Sequence, residues 1–223
     1  MRRQPDGLTD WGVLGAVIGR KAGSYWEVPV IEGIDCVPNS DELKHMGAAM
    51  ASYGSTPLFH IVGITPECQK LSDVGGDKLD PENVTQADLD ALREPFGGKG
   101  EKVDVVVFAA PQLSLVEMQQ VAELCRGRTI HKDTALLVCT PASVYIDAQR
   151  MGFNEAIESF GGKVLQGTCF YQQYAREIGE ANGWKRLLSN STKIVNILGG
   201  YGYLPALASM EDCVASAVAG EIV

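Results

Sequence analysis

Long apolar runs alternate with amphipathic stretches along the chain, most regularly in its second half. The strongest run covers residues 103–108, which are apolar except for Asp104 and mostly β-branched. A run without polar alternation is typical of a strand that is covered on both faces, as in a parallel sheet. Further runs of this kind predict strands at residues 135–139, 163–169 and 193–198.

The stretch that follows residues 103–108 predicts a loop and then a capped helix. Pro111 cannot continue a β-ladder because it has no N–H group. Ser114 and Glu117 form a capping-box pattern, and apolar residues then recur at helical spacing as far as Cys125. The loop therefore lies at the carboxyl end of a strand, where open α/β sheets usually bind their ligands.

Shorter patterns predict the remaining helices and strands. Capping residues and apolar stripes predict helices at 11–19, from Ser40 to about Ser52, after Thr85, after Ser143, after Asn154 and after Glu211. Short strands are predicted at 26–31 and 58–63, and Thr65 followed by Pro66 has the pattern of a further helix start. Strands that alternate with helices predict an α/β fold, a three-layer sandwich with a mostly parallel sheet.

A glycine-containing turn at residues 97–100 marks a change in regularity. We expect an irregular α/β part over residues 1–98 and a regular β-α-β-α domain over residues 99–223, with one continuous domain as the alternative. A chain of 223 residues with 45% hydrophobic side chains is long enough to bury a substantial core in either case.

Charge and hydropathy exclude several classes of partner. The net charge of -9 argues against nucleic acid, because binding to phosphates needs a cationic surface. No apolar run approaches the roughly 20 residues that a membrane-spanning helix requires, so we expect no membrane association. The first residues lack the apolar segment of a secretory signal, and the expected compartment is the cytoplasm.

The cysteines and one histidine are the candidates for chemistry on residue type alone. The chain has six cysteines and no CxxC pair, which makes a zinc ribbon or a ferredoxin-type ligand run improbable. The commoner role of such cysteines is that of a reduced, buried apolar side chain. His60 lies inside an apolar run, where a hydrogen-bonded core histidine is more common than a catalyst.

Several segments together resemble the large, catalytic subunit of the aconitase X family. The most specific is residues 59–67 (FHIVGITPE), which resembles that family's FH-hydrophobic-VG-hydrophobic-TPE segment. Other segments also resemble the family and occur in the same order as in the family: 14–20, 41–50, 111–124, Thr168-Cys169, Asn190-Ser191 with Lys193, 212–214 and 217–220. The resemblance covers nearly the whole chain and implies an aconitase-domain-like fold.

The resemblance also implies an activity and a cofactor. Members of the family are hydro-lyases that dehydrate small hydroxy acids, such as mevalonate 5-phosphate or cis-3-hydroxy-L-proline, with an iron–sulfur cluster. A cluster iron with an open position acts as a Lewis acid on the departing hydroxyl, while a base removes the proton α to a carboxylate. Thiolates must hold such a cluster.

Carried over residue by residue, the resemblance implies a set of site residues. Cys169 is the cluster-ligand candidate, and Cys139, on a strand predicted to be a neighbour, is a possible second thiol. Candidates for contact with an anionic substrate or for catalysis are His60, Ser114, Ser191 and Lys193. The alternatives for the last three are ordinary helix caps and a surface lysine.

One loop departs from the family pattern. The family has Gly-Cys-Pro-His or Gly-Ser-Pro-His where this chain has Ala109-Ala110-Pro111-Gln112, with Ser114 retained. Neither Ala110 nor Gln112 can supply a thiolate or a proton-transferring imidazole. This change favours an alternative function, a non-catalytic α/β module used for binding or assembly.

The resemblance extends only to the later half of the family's large subunit. The expected partners are therefore the missing N-terminal half and the small swivelling subunit or domain, without which we expect no activity. Apolar residues that face a missing half must be covered, and self-association into a homo-oligomer is one way to cover them. A third, weaker interpretation takes residues 199–203 as a phosphate- or nucleotide-binding loop.

Overall fold

The computed structural model describes residues 5–223, which form two compact units divided between Glu94 and Pro95. We refer to them as unit 1 and unit 2 and describe each by itself. None of the helices in this part of the chain combines the length and apolarity needed to cross a membrane.

Unit 1 consists of helices and very short strands. In chain order these are α1 (Gly7–Ala22), β1 (Val30–Ile31), α2 (Ser40–Gly54), β2 (His60–Ile61) and α3 (Gln86–Arg93). Asn39 caps α2 and Thr85 caps α3, each through its side chain. The cap of α2 thus lies one residue before the Ser40 that its sequence pattern indicated.

Helices α1 and α2 approach so closely that their glycines are required. A Cβ atom on Gly54 would lie 1.8 Å from the carbonyl oxygen of Gly19, and one on Gly15 would lie 2.3 Å from that of Met46. The helices enclose an apolar cluster built from Trp11, Leu14, Ile18, Met46, Met50 and Ile61. The glycines that are costly in an isolated helix therefore permit the main packing contact of unit 1.

Three predictions for unit 1 are wrong in extent or type. The strands predicted at 26–31 and 58–63 shorten to β1 and β2, which pair in parallel with Val30 opposite His60. No helix begins at Thr65. Its side-chain oxygen instead accepts the N–H of Ile61 and donates to the Ile61 carbonyl, at 3.1 Å each, and so closes a turn.

Unit 2 alternates strands and helices. In chain order these are β3 (Val105–Phe108), α4 (Leu115–Cys125), β4 (Ala135–Thr140), α5 (Ala142–Arg150), α6 (Phe153–Phe160), β5 (Lys163–Gln166), α7 (Ala175–Asn182), β6 (Arg186–Ser189), α8 (Thr192–Leu198), β7 (Leu204–Leu207) and α9 (Met210–Ala219). Within residues 95–223 the strands form one five-stranded parallel sheet in the order β5-β4-β3-β6-β7.

Helices cover both faces of this sheet, which confirms the α/β class and the parallel sheet. On one face, Val105, Val107 and Leu137 pack against residues of α7 and α8. Alternate residues of the same strands point to the other face, where α9 contacts β3 and β6 and packs against α4. All four residues of β3 are buried, as the uninterrupted apolar run predicts.

The strand predicted at residues 193–198 is wrong, since these residues form helix α8. A short apolar run is equally compatible with a buried helix segment, and periodicity alone does not distinguish the two. The side chain of Ser191 accepts the N–H of Ile194 and thereby starts the helix. The last two strands of the sheet are β6 and β7, whose patterns are too short to stand out in the sequence.

Asp104, the polar exception in the central run, joins two strands at the amino end of the sheet. Its Oδ2 accepts the N–H groups of Lys185 and Arg186 at 2.8 and 2.9 Å, where β6 begins. Burial alone would raise the pKa of this carboxyl. The backbone N–H of Lys185 and the Lys102 ammonium outweigh burial and lower the pKa below its usual value.

Candidate functional site

The strand order of unit 2 defines where a ligand would bind. The chain winds from β3 outward to β4 and β5, and then returns to place β6 on the other side of β3. The crevice outside the carboxyl ends of two such strands is the usual ligand site of open α/β sheets. In this protein the crevice lies between the loop after β3, residues 109–114, and the loop after β6, residues 190–191.

Two serine hydroxyls tie these loops together. Ser191 Oγ donates to the carbonyl of Ala110 at 2.6 Å, and Ser189 Oγ donates to the carbonyl of Val107 at 2.6 Å. Both serines are fully or almost fully buried. The conformation of the β3 loop is therefore held from the β6 side. Ala110 in that loop has a left-handed backbone, with φ of 44°, and precedes a cis bond to Pro111.

Cys169 lies in the loop after β5 and reaches the same crevice. The backbone N–H groups of Tyr171, Ala110 and Phe170 and the Lys193 ammonium lie close enough to its sulfur to influence the thiol. Burial is the largest influence and raises the pKa of the thiol, whereas these N–H groups and the ammonium lower it. The N–H groups and the ammonium thus favour negative charge on the sulfur, but burial outweighs them, so the neutral thiol is favoured overall.

Cys139, at the end of β4, belongs to the same buried cluster as Cys169. Burial, with a contribution from the neighbouring Cys169, raises the pKa of the Cys139 thiol to about 12. The N–H of Leu113 donates to the Cys139 carbonyl at 2.9 Å, and the Thr140 hydroxyl donates to the Leu113 carbonyl at 2.8 Å. The end of β4 therefore holds the β3 loop from the side opposite β6.

Gln112 and Ser114 have structural contacts in this loop. Gln112 Nε2 donates to the carbonyl of Thr168 at 2.8 Å, which links the β3 loop to the segment that carries Cys169. Ser114 caps α4, since its Oγ accepts the N–H of Glu117 and the Glu117 carboxylate accepts the N–H of Ser114 at 2.7 Å. The capping box predicted from the sequence is confirmed.

The structure thus brings Cys139, Cys169, Ser191 and Lys193 together at one edge of the unit 2 sheet, with Ser114 in the adjoining loop. His60 belongs to unit 1, where it lies in the two-stranded sheet. Its Nδ1 atom is buried and has no hydrogen-bond partner among residues 5–223.

Some residues of the crevice were not predicted. Tyr171 follows Cys169, and its pKa is raised by burial and by the neighbouring Cys169 and Tyr201. Thr192 is buried, and its hydroxyl has no hydrogen-bond partner within the described chain. If residues 186–189 had been predicted as a strand, the loops after β3 and β6 would have been expected at the same edge of the sheet. The apolar run at 193–198 suggested a strand there instead and concealed this.

The residues present fit only part of an iron–sulfur site. Among residues 5–223, no group of three or more histidine, cysteine or acidic side chains is arranged to hold a metal ion. Cys169 has the N–H donors that a cluster thiolate accepts, and Cys139 is the second sulfur nearby.

Fold and crevice define the class of protein: a doubly wound α/β domain with a thiol-containing site at the point where its strand order reverses. Family models identify the family of the chain: residues 3–94 match the aconitase X second domain and residues 103–219 match the aconitase X third domain. The chain belongs to the aconitase X family.

Individual relatives agree with this assignment. The chain is 31% identical to the phosphomevalonate dehydratase large subunit of Thermococcus kodakarensis, over 94% of this chain and 52% of that protein. It is 35% identical to the cis-3-hydroxy-L-proline dehydratase of Hypocrea jecorina, over 71% of this chain and 27% of that enzyme. The crystal structure of Thermococcus kodakaraensis aconitase X in its holo-form superposes with a TM-score of 0.81 at 27% identity, covering 96% of this chain and 53% of that one.

These coverages define how the chain relates to its relatives. The chain spans about half the length of the phosphomevalonate dehydratase large subunits that it matches, 47% and 52% for two of them. The resemblance identified in the sequence is confirmed at the level of the family.

Proposed function

We propose that this chain is the later part of an aconitase X-type dehydratase, one that eliminates water from a small hydroxy acid. The observation that carries the proposal is the convergence of Cys169, Lys193 and the Ser191–Ala110 contact at the edge where the strand order reverses. The Lys193 ammonium is suited to bind an anion, and the sulfur of Cys169 is suited to bind a soft metal once it has lost its proton.

Within this proposal, Cys169 provides one thiolate ligand of an iron–sulfur cluster and Cys139 a second candidate. When bound, such a cluster supplies a Lewis acid for the departing hydroxyl group. The family motif has Cys or Ser at position 110, where this chain has alanine. This chain therefore contributes fewer cluster ligands than a family member that carries Cys at this position. The remaining ligands come from the other part of the enzyme.

The other residues of the crevice orient the substrate and the loop. Lys193 is half-buried and offers its ammonium group to a carboxylate or phosphate of the substrate. Ser191 acts as a positioning residue, because its hydroxyl already donates to Ala110 and accepts from the N–H of Ile194. The proton-abstracting base is not supplied by Gln112, whose amide does not take up a proton. We therefore assign the base to the part of the enzyme outside these residues.

The substrates proposed are those of the relatives, mevalonate 5-phosphate and cis-3-hydroxy-L-proline, both of which carry a carboxylate. The proposed partners are the N-terminal part of the large subunit and a small subunit. The test combines this chain with those parts from T. kodakarensis under anaerobic conditions, with iron and sulfide, and follows the dehydration of each substrate. We expect turnover from the assembly and none from the chain alone.

Two results would oppose the proposal. Turnover by this chain alone would remove the need for the other parts. An assembly that forms but neither binds a cluster nor dehydrates either substrate would favour the second candidate function, a non-catalytic assembly module. That candidate rests on Ala110 and on the Gln112–Thr168 hydrogen bond, which commits the Gln112 side chain to structure. Restoring the motif with the double substitution Ala110→Cys and Gln112→His separates the two, because cluster absorption should rise only if the rest of the site is intact.

A further inference from the structure

The two-stranded sheet of unit 1 is too small to be complete by itself. Strands β1 and β2 contain two residues each and pair in parallel. Parallel sheets are usually covered on both faces, and a two-stranded sheet has little independent stability. In most proteins such a pair is part of a larger sheet or lies beneath another layer.

One face of this pair lies in the core and the other is only partly covered, since Val30 and His60 are half-buried and Val30 lies against Gly76. Ile31, Phe59 and Ile61 belong to the apolar core cluster of unit 1. Alternation along a strand places Val30 and His60 on the opposite face, together with Val28 and Leu58 just before the strands. Leu58 is 54% exposed and Val28 is 41% exposed. We call Trp26, Val28, Val30, Leu58 and His60 the outer face of unit 1.

Trp26, four residues before β1, is exposed as well. Its side chain is 87% exposed and makes an edge-to-face contact with the Tyr25 ring, which is 60% exposed, with ring centroids 5.1 Å apart. Tryptophan and tyrosine are enriched at the centres of protein interfaces, and large apolar side chains in one exposed group mark a binding surface. The outer face therefore has the composition of an interface.

The backbone of β1 is also open. The far edge of β2 is closed by the Thr65 turn, which uses both the N–H and the carbonyl of Ile61. The parallel register directs the N–H and carbonyl of Val30 away from β2, and neither has a hydrogen-bond partner among residues 5–223. An open strand edge is able to pair with another chain segment.

His60 adds a polar group to the same face. Its Nδ1 atom is buried without a partner within residues 5–223, although buried polar atoms nearly always have one. The outer face thus combines exposed apolar side chains, an open strand edge and an imidazole nitrogen that is already shielded from solvent.

The family match indicates what covers this face. The two models that match are those of the second and third domains, and they take up residues 3–94 and 103–219 of the chain. We propose that the outer face of unit 1 binds a domain homologous to the first domain of the family, which pairs with β1, covers Trp26 and Leu58, and supplies a partner to His60. The same surface is used whether that domain precedes these residues in one polypeptide or is a separate chain.

The test is association, measured without substrate or cluster. This chain is co-expressed with the first domain of the T. kodakarensis large subunit, and the mass of the purified material is measured by light scattering. We expect a one-to-one complex. In it, amide hydrogen exchange at Val30 slows by about tenfold or more relative to the free chain, since that N–H gains a partner.

A matched pair of variants locates the interface. Leu58→Asp places a charge in the outer face, and Leu204→Asp places the same charge at a site of nearly equal exposure, 56% against 54%, on strand β7. We expect the first to weaken association by about tenfold or more and the second to leave it nearly unchanged. Circular dichroism and urea unfolding of both variants establish that each is folded before association is compared.

Three outcomes would overturn the proposal: no complex, a complex in which Val30 gains no protection, or equal effects of the two substitutions. A homodimer that protects Val30 and is broken by Leu58→Asp would assign the face to a second copy of this chain and overturn it as well. Because association requires no turnover, it fails or succeeds independently of the proposed dehydratase activity.

Discussion

The hydroxyl of Ser191 donates a hydrogen bond of 2.6 Å to the carbonyl of Ala110, across 81 residues of sequence. The same oxygen accepts the N–H of Ile194 at 3.2 Å and so starts helix α8. One side chain therefore sets both the β3 loop and the helix that carries Lys193. Residues 109–112 depart from the family pattern, but Ser191, which holds their loop in place, matches the family's Asn-Ser pair.

This double role makes Ser191→Ala more costly than the loss of an ordinary cap. We expect the free energy of unfolding in urea to fall by about 2–3 kcal/mol, since a buried carbonyl loses its donor and a helix loses its cap. Ser209→Ala is the matched control, because Ser209 caps α9 through the N–H of Asp212 at 3.0 Å. Its loss should cost about 1 kcal/mol. Equal costs for the two variants would contradict the role of the Ala110 contact.

Asp104 should stabilise the protein only when it is ionised. The pKa of this carboxyl is lowered in the folded state, so the unfolded state binds its proton more readily. Its contribution is therefore present above the unfolded pKa of about 4 and is lost as the pH falls below that value. We expect Asp104→Ala to lower the free energy of unfolding by about 2 kcal/mol at pH 7.

Urea unfolding at several pH values checks this account of Asp104. The gap between the wild type and Asp104→Ala should narrow steadily as the pH is lowered from 5 to about 3. Asp133→Ala removes an exposed carboxylate that pairs with Lys132 at 3.1 Å and should change stability little at any of these values. A gap for Asp104→Ala that is independent of pH would show that the carboxylate charge is not what matters.

Cys139 should make the protein less stable in alkali. Its pKa is raised to about 12 in the folded state, whereas an unfolded thiol ionises near 8.5, so the unfolded state loses the proton first. Stability is therefore complete below about pH 8.5 and declines as the pH rises toward 12. Between pH 8 and 10 this thiol alone should cost the wild type about 2 kcal/mol of unfolding free energy.

Cys139→Ala removes that contribution, so its unfolding free energy should fall less between pH 8 and 10 than that of the wild type. The remaining loss comes from other buried groups, since burial also raises the pKa of Cys125, Tyr53 and Tyr203 to about 12. If both proteins lost the same free energy over this range, Cys139 would not be buried as a neutral thiol.

Lys193 should increase the reactivity of Cys169. The ammonium group lowers the pKa of the thiol against the larger effect of burial, and only the thiolate reacts with alkylating agents. We expect Lys193→Met to slow the alkylation of Cys169 by iodoacetamide several-fold at pH 8.5, measured by mass spectrometry of the peptide. Lys193→Arg should restore the rate.

Lys185→Met provides the control for this experiment, because Lys185 is exposed at the opposite end of β6. It should leave the alkylation of Cys169 unchanged. If Lys193→Met had no effect, the ammonium group would not lie close enough to influence the sulfur, and the proposed anion-binding crevice would lose its charge.

The sequence alone determined most of the local structure. The apolar run of β3, the Ser114–Glu117 capping box and the Thr85 cap depend on residues that are close in the chain, and each is found as predicted. The family could also be identified from the sequence, because a motif such as residues 59–67 is contiguous in the chain and can be recognised without a structure. These features need no knowledge of distant contacts.

Tertiary structure decided the identity of the last strands and the composition of the crevice. Residues 193–198 are apolar enough for a strand, but the Ser191 hydroxyl caps them as a helix, and β6 takes the place beside β3. Cys169 meets Lys193 because the crossover from β5 through α7 to β6 returns the chain to the same edge of the sheet. Hydrogen bonds and charge interactions act through space, so contacts between residues far apart in the chain leave no local pattern from which they could be predicted.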